Sequence, residues 1–454
     1  MIVSPVFAGK RFAVLGLARS GAAAAEALLA SGAEVIGWDR QDVARAPFEG
    51  RCRLIDPLEL DLTGFAGVVV SPGVPLNTHP IAPHVWQYGL PVIGDIELFA
   101  MARPSLPPHR VVGITGTNGK STTTALVHHI LQTAGVPSVM GGNIGDPILG
   151  QEPLPEGGVY VLELSSFQID LTFTLDCDIA ALTNITPDHL DRYANFETYA
   201  ASKERLFQMQ VTGTALICNE DEPTRVIAEG LETAGKSLVR VKTADLDAAG
   251  LAEGRSPSLA GPHNAQNAAV AVAICRQLGL SDVQIAEGLA SYRGLPHRME
   301  RVCAVGGVDY INDSKATNAA SAAPALAAFP PDHAVNAGAP RIHWIVGGLP
   351  KEDGLGACAD HLGNVAAAYT VGEAGPMFAD LLEGQVQVER CELISEAVRR
   401  AAEAARPGEV VLLSPACASY DQFRDYEKRG HHFRQMVSVI TGCNTGADGR
   451  SILP

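Results

Sequence analysis

A glycine-rich turn between two apolar segments constrains the fold of this 454-residue chain more than any other feature. The stretch VVGITGTNGKSTTTALVHHIL (111–131) places the turn directly after a strand-like run and directly before a helix-like run. Glycines let backbone N–H groups point into such a turn, and the helix N-terminus adds the positive end of its dipole. The stretch therefore predicts a strand–loop–helix unit of an α/β protein that binds phosphate groups.

The spacing of this loop departs from the common P-loop pattern GxxxxGK[ST]. Counting back from Lys120, the pattern requires a glycine at position 114, which is Ile114. Lys120 can still neutralise the β- and γ-phosphates of a nucleotide, and the Ser121 hydroxyl can ligate Mg²⁺. The alternative is an ordinary glycine turn before a helix capped by Ser or Thr. A lysine between the turn and the cap favours the nucleotide.

Short apolar runs alternate with helical patterns along most of the chain. RFAVLGL (11–17), EVIGWD (34–39) and GVVVSPG (67–73) are typical of buried strands, and a helix-like run at 20–32 follows the first. This alternation predicts parallel sheets covered by helices. Three prolines within 103–110 predict a linker.

The same alternation restarts after this linker and again near residue 300. We therefore predict an α/β fold of three domains. These are a Rossmann-like domain (1–105), a central P-loop-type ATPase domain with a parallel sheet (106–298) and a second Rossmann-like domain (299–454). The final residues, NTGADGRSILP, have the composition of a loose tail.

Composition narrows the classes of partner and compartment. A net charge of −16 argues against a nucleic-acid-binding or anionic-membrane surface. It does not exclude an anionic substrate, because a few local Lys and Arg side chains can form a positive pocket. Nine cysteines without a CxxC pair are typical of free thiols in a reducing compartment. The sequence shows neither a signal peptide nor a run of about 18 apolar residues. We therefore expect a cytoplasmic protein without membrane insertion.

The loop TGTNGKST (115–122) resembles the ATP-binding loop of the Mur ligase superfamily, which builds the peptide stem of peptidoglycan. Further along the chain, VLELSSFQ (161–168), NITPDHLDRY (184–193), YAASKERLF (199–207) and GPHNAQNAA (261–269) resemble the acidic, histidine, lysine and adenine-binding motifs of this superfamily. Folylpolyglutamate synthetases share much of the loop, but they usually have a glycine between the lysine and the serine.

The last third of the chain narrows the resemblance to one branch of the superfamily. GLPHRMERV (294–302) is similar to a motif found widely in these ligases. INDSKATN (311–318) and LLSPACASYDQF (412–423), together with GGNIG (141–145), are similar to the D-glutamate-adding members. The DNPR string of the diaminopimelate-adding members is absent. The resemblance runs from GLARSG at residue 16 to RGHHF at residue 433.

The resemblance implies an ATP-dependent amide ligase of cytoplasmic peptidoglycan precursor synthesis. Such an enzyme adds D-glutamate to UDP-N-acetylmuramoyl-L-alanine through an acyl phosphate. It uses ATP and two Mg²⁺ ions, one of them beside a carbamylated Lys203. Its three domains bind the UDP substrate, ATP and the amino acid in chain order. We expect a monomer whose partners are these small molecules and not nucleic acid.

The resemblance also implies the residues of each site. Catalysis would depend on Lys120, His189, Lys203, Glu163 and Asn143, and the metals would bind Ser121, Glu163, His189 and Lys203. ATP would contact Gly116, Thr117, Asn118, Gly119, Lys120, Ser121, Thr122, Asn264, Asn267, Arg298 and Asp313. The UDP substrate would contact Ser20, Asp39, Arg40, Ser71 and Asn143. The amino acid would contact Lys315, Thr317, Lys351, Ser419 and Tyr426.

Two short segments depart from the family pattern. In GLARSG, Ala18 replaces a glycine and Arg19 is bulkier than usual, although Ser20 and the following helix can still receive the UDP end of the substrate. In GGLPKEDG, Leu349 and Pro350 stand where the family often has Asp and a small residue.

Three alternatives remain open from the sequence. One is a folylpolyglutamate synthetase or a Mur ligase that adds another amino acid. The second is a plain P-loop NTPase, which would need the strict spacing and a Walker-B Asp where this chain has Glu163. The third is a nicotinamide dehydrogenase, in which Asp39, at the end of the second strand, would bind the ribose of the cofactor.

Overall fold

A computed structural model describes residues 1–188, 192–251, 254–351 and 353–443. The chain forms two compact units. The first comprises residues 1–250 and 266–288, and the second comprises 251–265 and the chain from 289 onward. Two parallel sheets lie in the first unit and a third sheet lies in the second.

The first sheet is parallel, five-stranded and ordered β3-β2-β1-β4-β5. Its strands are β1 (Arg11–Leu15), β2 (Glu34–Trp38), β3 (Arg53–Leu54), β4 (Gly67–Val70) and β5 (Val92–Ile93). Its helices are α1 (Arg19–Ala30), α2 (Asp42–Arg45), α3 (Ile81–Trp86) and α4 (Asp95–Ala102). All four residues of β4 are buried, as a strand covered on both faces requires.

The second sheet is parallel, six-stranded and ordered β11-β10-β9-β6-β8-β7. Its strands are β6 (His109–Thr115), β7 (Ser138–Gly142), β8 (Gly158–Glu163), β9 (Ile179–Leu182), β10 (Thr214–Cys218) and β11 (Leu238–Val241). The helices of this region are α5 (Lys120–Thr133), α6 (Ser166–Asp170), α7 (Phe196–Gln208), α8 (Glu222–Thr233), α9 (Asp245–Ala248), α10 (Pro262–Gln277) and α11 (Asp282–Ser291).

The third sheet has six strands in the order β12-β13-β17-β14-β15-β16, and only the β12–β13 pair is antiparallel. Its strands are β12 (Glu300–Val305), β13 (Val308–Asn312), β14 (Ile342–Gly347), β15 (Val365–Val371), β16 (Gln387–Glu392) and β17 (Val410–Leu413). Its helices are α12 (Ala319–Ala327), α13 (His333–Asn336), α14 (Gly375–Leu382), α15 (Ile394–Ala404) and α16 (Tyr426–Thr441). Separate apolar clusters cover its two faces.

The three sheets confirm the predicted α/β fold, whereas the domain boundaries near residues 105 and 298 stay predictions. The linker predicted at 103–110 is shorter than expected. Arg103–Ser105 forms a 3-10 helix, Leu106 packs against the apolar core, and β6 already begins at His109. The predicted tail at the C-terminus lies outside the described residues.

Within the described parts of the chain, no helix combines the length and the apolar character needed to cross a membrane. All nine cysteines lie in these parts and are free thiols, and seven of them are buried.

Candidate active site

The glycine-rich loop of residues 116–119, here called the phosphate loop, joins β6 to α5 in a conformation that only glycine supports. Gly116 and Gly119 have φ angles of 144° and 81°. A Cβ atom would lie 2.0 Å from the Thr183 hydroxyl oxygen at the first position and 1.9 Å from Asn267 Oδ1 at the second. Helix α5 begins at Lys120 without a side-chain cap, so the alternative of a Ser- or Thr-capped helix is wrong. Its N-terminal N–H groups are instead available to an anion.

Two lysines converge on this loop. Lys120 Nζ donates to the carbonyl oxygens of Gly116 and Thr117 at 3.0 and 2.8 Å, and Lys203 Nζ donates to Gly116 O at 2.8 Å. Lys203 is 1% exposed and lies 4.6 Å from the ring centre of Tyr199. Burial, and secondarily the charge of Lys120, lowers the pKa of Lys203 to about 7. Lys203 is therefore not an ordinary solvated lysine of a helix surface.

Glu163 and Asn143 form a second polar cluster at the ends of β8 and β7. Glu163 is buried, and its Oε1 accepts a hydrogen bond of 3.0 Å from Asn143 Nδ2. The Asn143 N–H donates to the Glu163 carbonyl oxygen at 2.9 Å. Gly142 makes this approach possible, because a Cβ atom there would lie 2.1 Å from the same carbonyl oxygen.

The second oxygen of Glu163 is an open ligand position. Glu163 Oε2 is buried and has no hydrogen-bond partner among the described residues. Its strand is a neighbour of β6, which leads to Ser121 in the first turn of α5. Mg²⁺ prefers oxygen ligands and usually keeps several waters. A buried carboxylate oxygen without a partner and a hydroxyl group are ligands of the type that this ion takes.

The second predicted metal site is only partly described. His189 lies outside the described residues, and Lys203 is the other predicted member. No group of three or more His, Cys, Asp or Glu side chains suited to a metal ion occurs within the described ranges.

The predicted adenine-binding asparagines both lie in α10. Asn267 is buried, and its side chain adjoins Gly119 of the phosphate loop. Asn264 Nδ2 donates to the carbonyl oxygens of Ser258 and Ala260, both at 3.2 Å. Thr122, another predicted ATP contact, is buried in the first turn of α5.

The predicted UDP site lies where β1, β2 and β4 end, which are three adjacent strands. Asp39 holds the turn after β1, because its carboxylate accepts hydrogen bonds from the N–H groups of Leu17 and Gln41 at 2.8 and 2.9 Å. The Ser71 hydroxyl donates to Gly16 O at 2.9 Å. Ser20 is half-buried in α1, and Arg40 is exposed.

The departures at Ala18 and Arg19 leave this turn intact. Helix α1 begins at Arg19, and its N-cap residue Ala18 provides no side-chain hydrogen bond. Arg19 Nη2 donates to the carbonyl oxygen of Gly145 at 2.7 Å. The bulkier residue therefore joins the turn to the loop that follows Asn143.

Four of the predicted amino-acid-binding residues lie on loops that follow the adjacent strands β13, β14 and β17, and the fifth, Tyr426, is the first residue of α16. Lys351 is exposed, and its Nζ donates to the Thr317 hydroxyl at 3.1 Å. Lys315 Nζ lies 5.7 Å from the ring centre of Tyr426, and Ser419 is buried.

Leu349 and Pro350, the second departure, are accommodated by backbone pairing. Leu349 exchanges N–H···O bonds of 2.9 and 3.0 Å with Ala418. This pairing holds the loop of Lys351 beside the loop of Ser419.

Asp313 and Arg298, the last predicted ATP contacts, both belong to the second unit. The Asp313 carboxyl accepts hydrogen bonds from Met299 N at 3.1 Å and the Ser414 hydroxyl at 2.8 Å, and burial raises its pKa to about 7. Arg298 is half-buried, and its Nε has no hydrogen-bond partner among the described residues.

Sequence reasoning missed Arg429, although it lies within the quoted RGHHF string. This arginine is 1% exposed and donates to the hydroxyl and carbonyl of Ser314 and to the carbonyls of Cys417 and Ala418, at 2.9–3.1 Å. Burial lowers its pKa to about 10. Arg429 thus connects two of the loops that carry residues predicted to bind the amino-acid substrate.

Comparison with known proteins covers most of the chain. Residues 114–275 match the Mur ligase middle domain, and residues 297–417 match the Mur ligase glutamate ligase domain. Proteins named UDP-N-acetylmuramoylalanine--D-glutamate ligase from Novosphingobium aromaticivorans, Sphingopyxis alaskensis and Zymomonas mobilis are 60%, 58% and 53% identical. Each alignment covers 97% of this chain and 97%, 100% and 100% of the respective relative.

Among solved structures, UDP-N-acetylmuramate-alanine ligase from Thermotoga maritima has the same fold. Its TM-score is 0.54 at 18% identity, and the match covers 94% of this chain and 99% of that one.

Proposed function

The chain belongs to the Mur ligase family, and we propose that it joins D-glutamate to UDP-N-acetylmuramoyl-L-alanine in an ATP-dependent reaction. The observation that carries this proposal is the 53–60% identity, over nearly the full length, to relatives that bear the name of this ligase. The phosphate loop and the polar loops of the third sheet are consistent with it. These findings favour an amide ligase over the alternatives of a plain NTPase and a nicotinamide dehydrogenase.

Amide formation from a carboxylate and an amine in water requires an activated acyl group. We propose that the carboxylate of the UDP substrate attacks the γ-phosphorus of ATP, which releases ADP and leaves an acyl phosphate. The amine of D-glutamate then attacks the acyl carbon, loses a proton and expels inorganic phosphate. Negative charge gathers on phosphate oxygens in both steps, so positioned cations and N–H groups are the main catalytic devices.

The residues of the phosphate loop suit this task. Gly116, Thr117, Asn118 and Gly119 would surround the phosphates, while Lys120 supplies a positive charge beside them. Ser121 and Glu163 would hold one Mg²⁺, which when bound offsets charge on the β- and γ-phosphates. Asn143 would orient the reacting carboxylate from the position where its amide already holds Glu163.

A carbamate on Lys203 would supply oxygen ligands for a second Mg²⁺, together with His189. The neutral amine of Lys203 would add to CO₂ and release one proton, which converts a cationic side chain into an anionic one. Deep burial supports this step because it favours the neutral amine, and a pKa of about 7 leaves roughly half of the side chains neutral at pH 7.

The loops of the third sheet would bind D-glutamate. Lys351 would meet the side-chain carboxylate, with Thr317, Ser419, Lys315 and Tyr426 around it. The hydrogen bond between Lys351 and Thr317 supports this assignment, because it holds the two side chains together.

The remaining predicted residues would bind the two nucleotides. ATP would contact Arg298, Asp313, Asn264 and Asn267, and the UDP group would contact Ser20, Asp39, Arg40 and Ser71. A cytoplasmic monomer is the setting we propose.

Phosphate release tests the proposed reaction. The purified protein is incubated with Mg²⁺, ATP, UDP-N-acetylmuramoyl-L-alanine and D-glutamate, and each substrate is omitted in turn. We expect sustained phosphate release only in the complete mixture, with one ¹⁸O atom transferred to phosphate from a labelled substrate carboxylate. Sustained hydrolysis of ATP by itself would instead indicate an NTPase.

A further inference from the structure

A series of hydrogen-bonded side chains connects the phosphate loop to α10. Its members are Asn184, Gln266 and Glu220, and it is called the amide chain below. Asn184 follows β9 and contacts the backbone of Asn118 twice. Its Oδ1 accepts a hydrogen bond of 2.8 Å from Asn118 N, and its Nδ2 donates to Asn118 O at 3.2 Å. One side-chain amide therefore fixes the peptide groups on both sides of Asn118.

The next member of the amide chain is Gln266 in α10. Asn184 Nδ2 also donates to Gln266 Oε1 at 3.1 Å, and Gln266 Nε2 donates to Glu220 Oε2 at 3.2 Å. Each of these amides has one orientation, because a backbone N–H at one end can only donate and a carboxylate at the other end can only accept.

Glu220 anchors the far end of this chain. It follows β10, and its carboxylate accepts hydrogen bonds from the N–H and the hydroxyl of Thr243, which follows β11, at 2.7 and 3.0 Å. The amide chain thus runs from the phosphate loop across the carboxyl ends of β9, β10 and β11. These three strands are adjacent in one sheet.

Helix α10 reaches the loop at a second point as well. The residue after Gln266 is Asn267, whose side chain adjoins Gly119. Successive residues of α10 therefore contact the loop, one directly at Gly119 and one through Asn184 at Asn118.

We propose that Gln266 and Glu220 are positioning residues for ATP, which act through Asn184 to fix the phosphate loop in its binding conformation. This inference rests on the proposed function, since it takes the nucleotide bound at the loop to be ATP. The same contacts couple α10, the helix of the predicted adenine-binding asparagines, to the loop that binds the phosphates.

Removing the Gln266 amide breaks its hydrogen bonds to half-buried Asn184 and exposed Glu220, so that Asn184 loses its connection to the far end of the amide chain. With Gln266→Leu we expect the Kd of a non-hydrolysable ATP analogue with Mg²⁺ to rise about three- to tenfold in calorimetry. The Kd of UDP-N-acetylmuramoyl-L-alanine should not change. Gln277→Leu is the matched control, because Gln277 is an exposed glutamine at the other end of the same helix.

A rescue design separates positioning from general damage. Gln266→Glu places two carboxylates against each other and should weaken analogue binding. Combining it with Glu220→Gln exchanges donor and acceptor, so that both hydrogen bonds can form again, and analogue binding should recover. A double variant as weak as Gln266→Glu, or a Gln266→Leu variant that binds the analogue like the native protein, would overturn the proposal.

Hydrogen exchange of the ligand-free protein provides a readout that needs no reaction. The Asn118 amide should exchange faster in Gln266→Leu than in the native protein or in Gln277→Leu, and unchanged exchange would contradict the proposed chain. A native protein that fails to join D-glutamate would refute the proposed function but leave this exchange result interpretable.

Discussion

Lys120 and Lys203 donate to the same carbonyl oxygen, that of Gly116. Two positive charges so close together disfavour each other, and the charge of Lys120 adds to burial in lowering the pKa of Lys203. The repulsion is relieved when Lys203 is neutral or carbamylated. Lys120 is therefore suited to supply a positive charge, whereas Lys203 is suited to react as a neutral amine.

Lys120→Ala tests the first of these lysines. We expect kcat to fall about 10²–10³-fold, since a cation that stabilises charge in the transition state is lost. Lys120 provides charge and is only half-buried, so the thermal unfolding midpoint should stay close to native. Lys10→Ala, at an exposed lysine, is the control. A Lys120→Ala enzyme with native turnover would place the ATP site elsewhere.

The proposed carbamate on Lys203 should form in a pH-dependent way, and the sign of this dependence follows from the lowered pKa of Lys203. Only the neutral amine reacts with CO₂, and the ammonium form predominates below about pH 7. After removal of CO₂, uptake of ¹³C-bicarbonate label followed by NMR should therefore be weaker at pH 6 than at pH 8. Lys203→Ala should show no such signal and should be nearly inactive, with partial recovery in acetate or formate. A native enzyme that is active without any carbamate signal would contradict this account.

At the scale of elements, the candidate sites lie where parallel strands end. The phosphate loop and Glu163 follow the neighbouring strands β6 and β8, and the amino-acid loops follow β13, β14 and β17. Adjacent parallel strands bring loops together that are distant in sequence, which is why ligands bind at this edge of α/β sheets.

Lys351→Ala tests the assignment of the loop after β14. We expect the KM for D-glutamate to rise about ten- to a hundredfold, because a charge-assisted hydrogen bond to the substrate carboxylate is lost. The KM for ATP should change little. Lys428→Ala, at an exposed lysine of α16, should leave both constants unchanged. Equal losses for both substrates would remove Lys351 from the amino-acid pocket.

The sequence predicts these elements well where one local pattern determines them. The loop 116–121 could be located because its glycines, its lysine and the flanking apolar runs are contiguous. The burial of Lys203 could not be deduced from its helix, since most helix lysines are solvated and only tertiary packing covers this one. Arg429 was missed for a related reason, because its partner Ser314 lies 115 residues away. The Asn184–Gln266–Glu220 chain likewise joins distant segments.

At the scale of the whole molecule, the distribution of thiols provides a test of the fold. Seven of the nine free cysteines are buried, while Cys52 and Cys443 are partly exposed. Burial raises the pKa of several thiols, which further reduces their reactivity. We expect two thiols to react rapidly with an aromatic disulfide reagent in the native protein and all nine after unfolding. Rapid reaction of most thiols in the native state would contradict the packing.

The amino acid that the protein selects from a mixture decides whether it is a D-glutamate-adding ligase. The protein is incubated with ATP, Mg²⁺, UDP-N-acetylmuramoyl-L-alanine and an equimolar mixture of D-glutamate, L-glutamate and diaminopimelate. The product is identified by mass spectrometry and, after hydrolysis, by chiral analysis of its amino acids. We predict a product that contains D-glutamate almost exclusively, with stoichiometric ADP and phosphate. A product that contains L-glutamate or diaminopimelate, or ADP formation without any amide product, would contradict the proposed function.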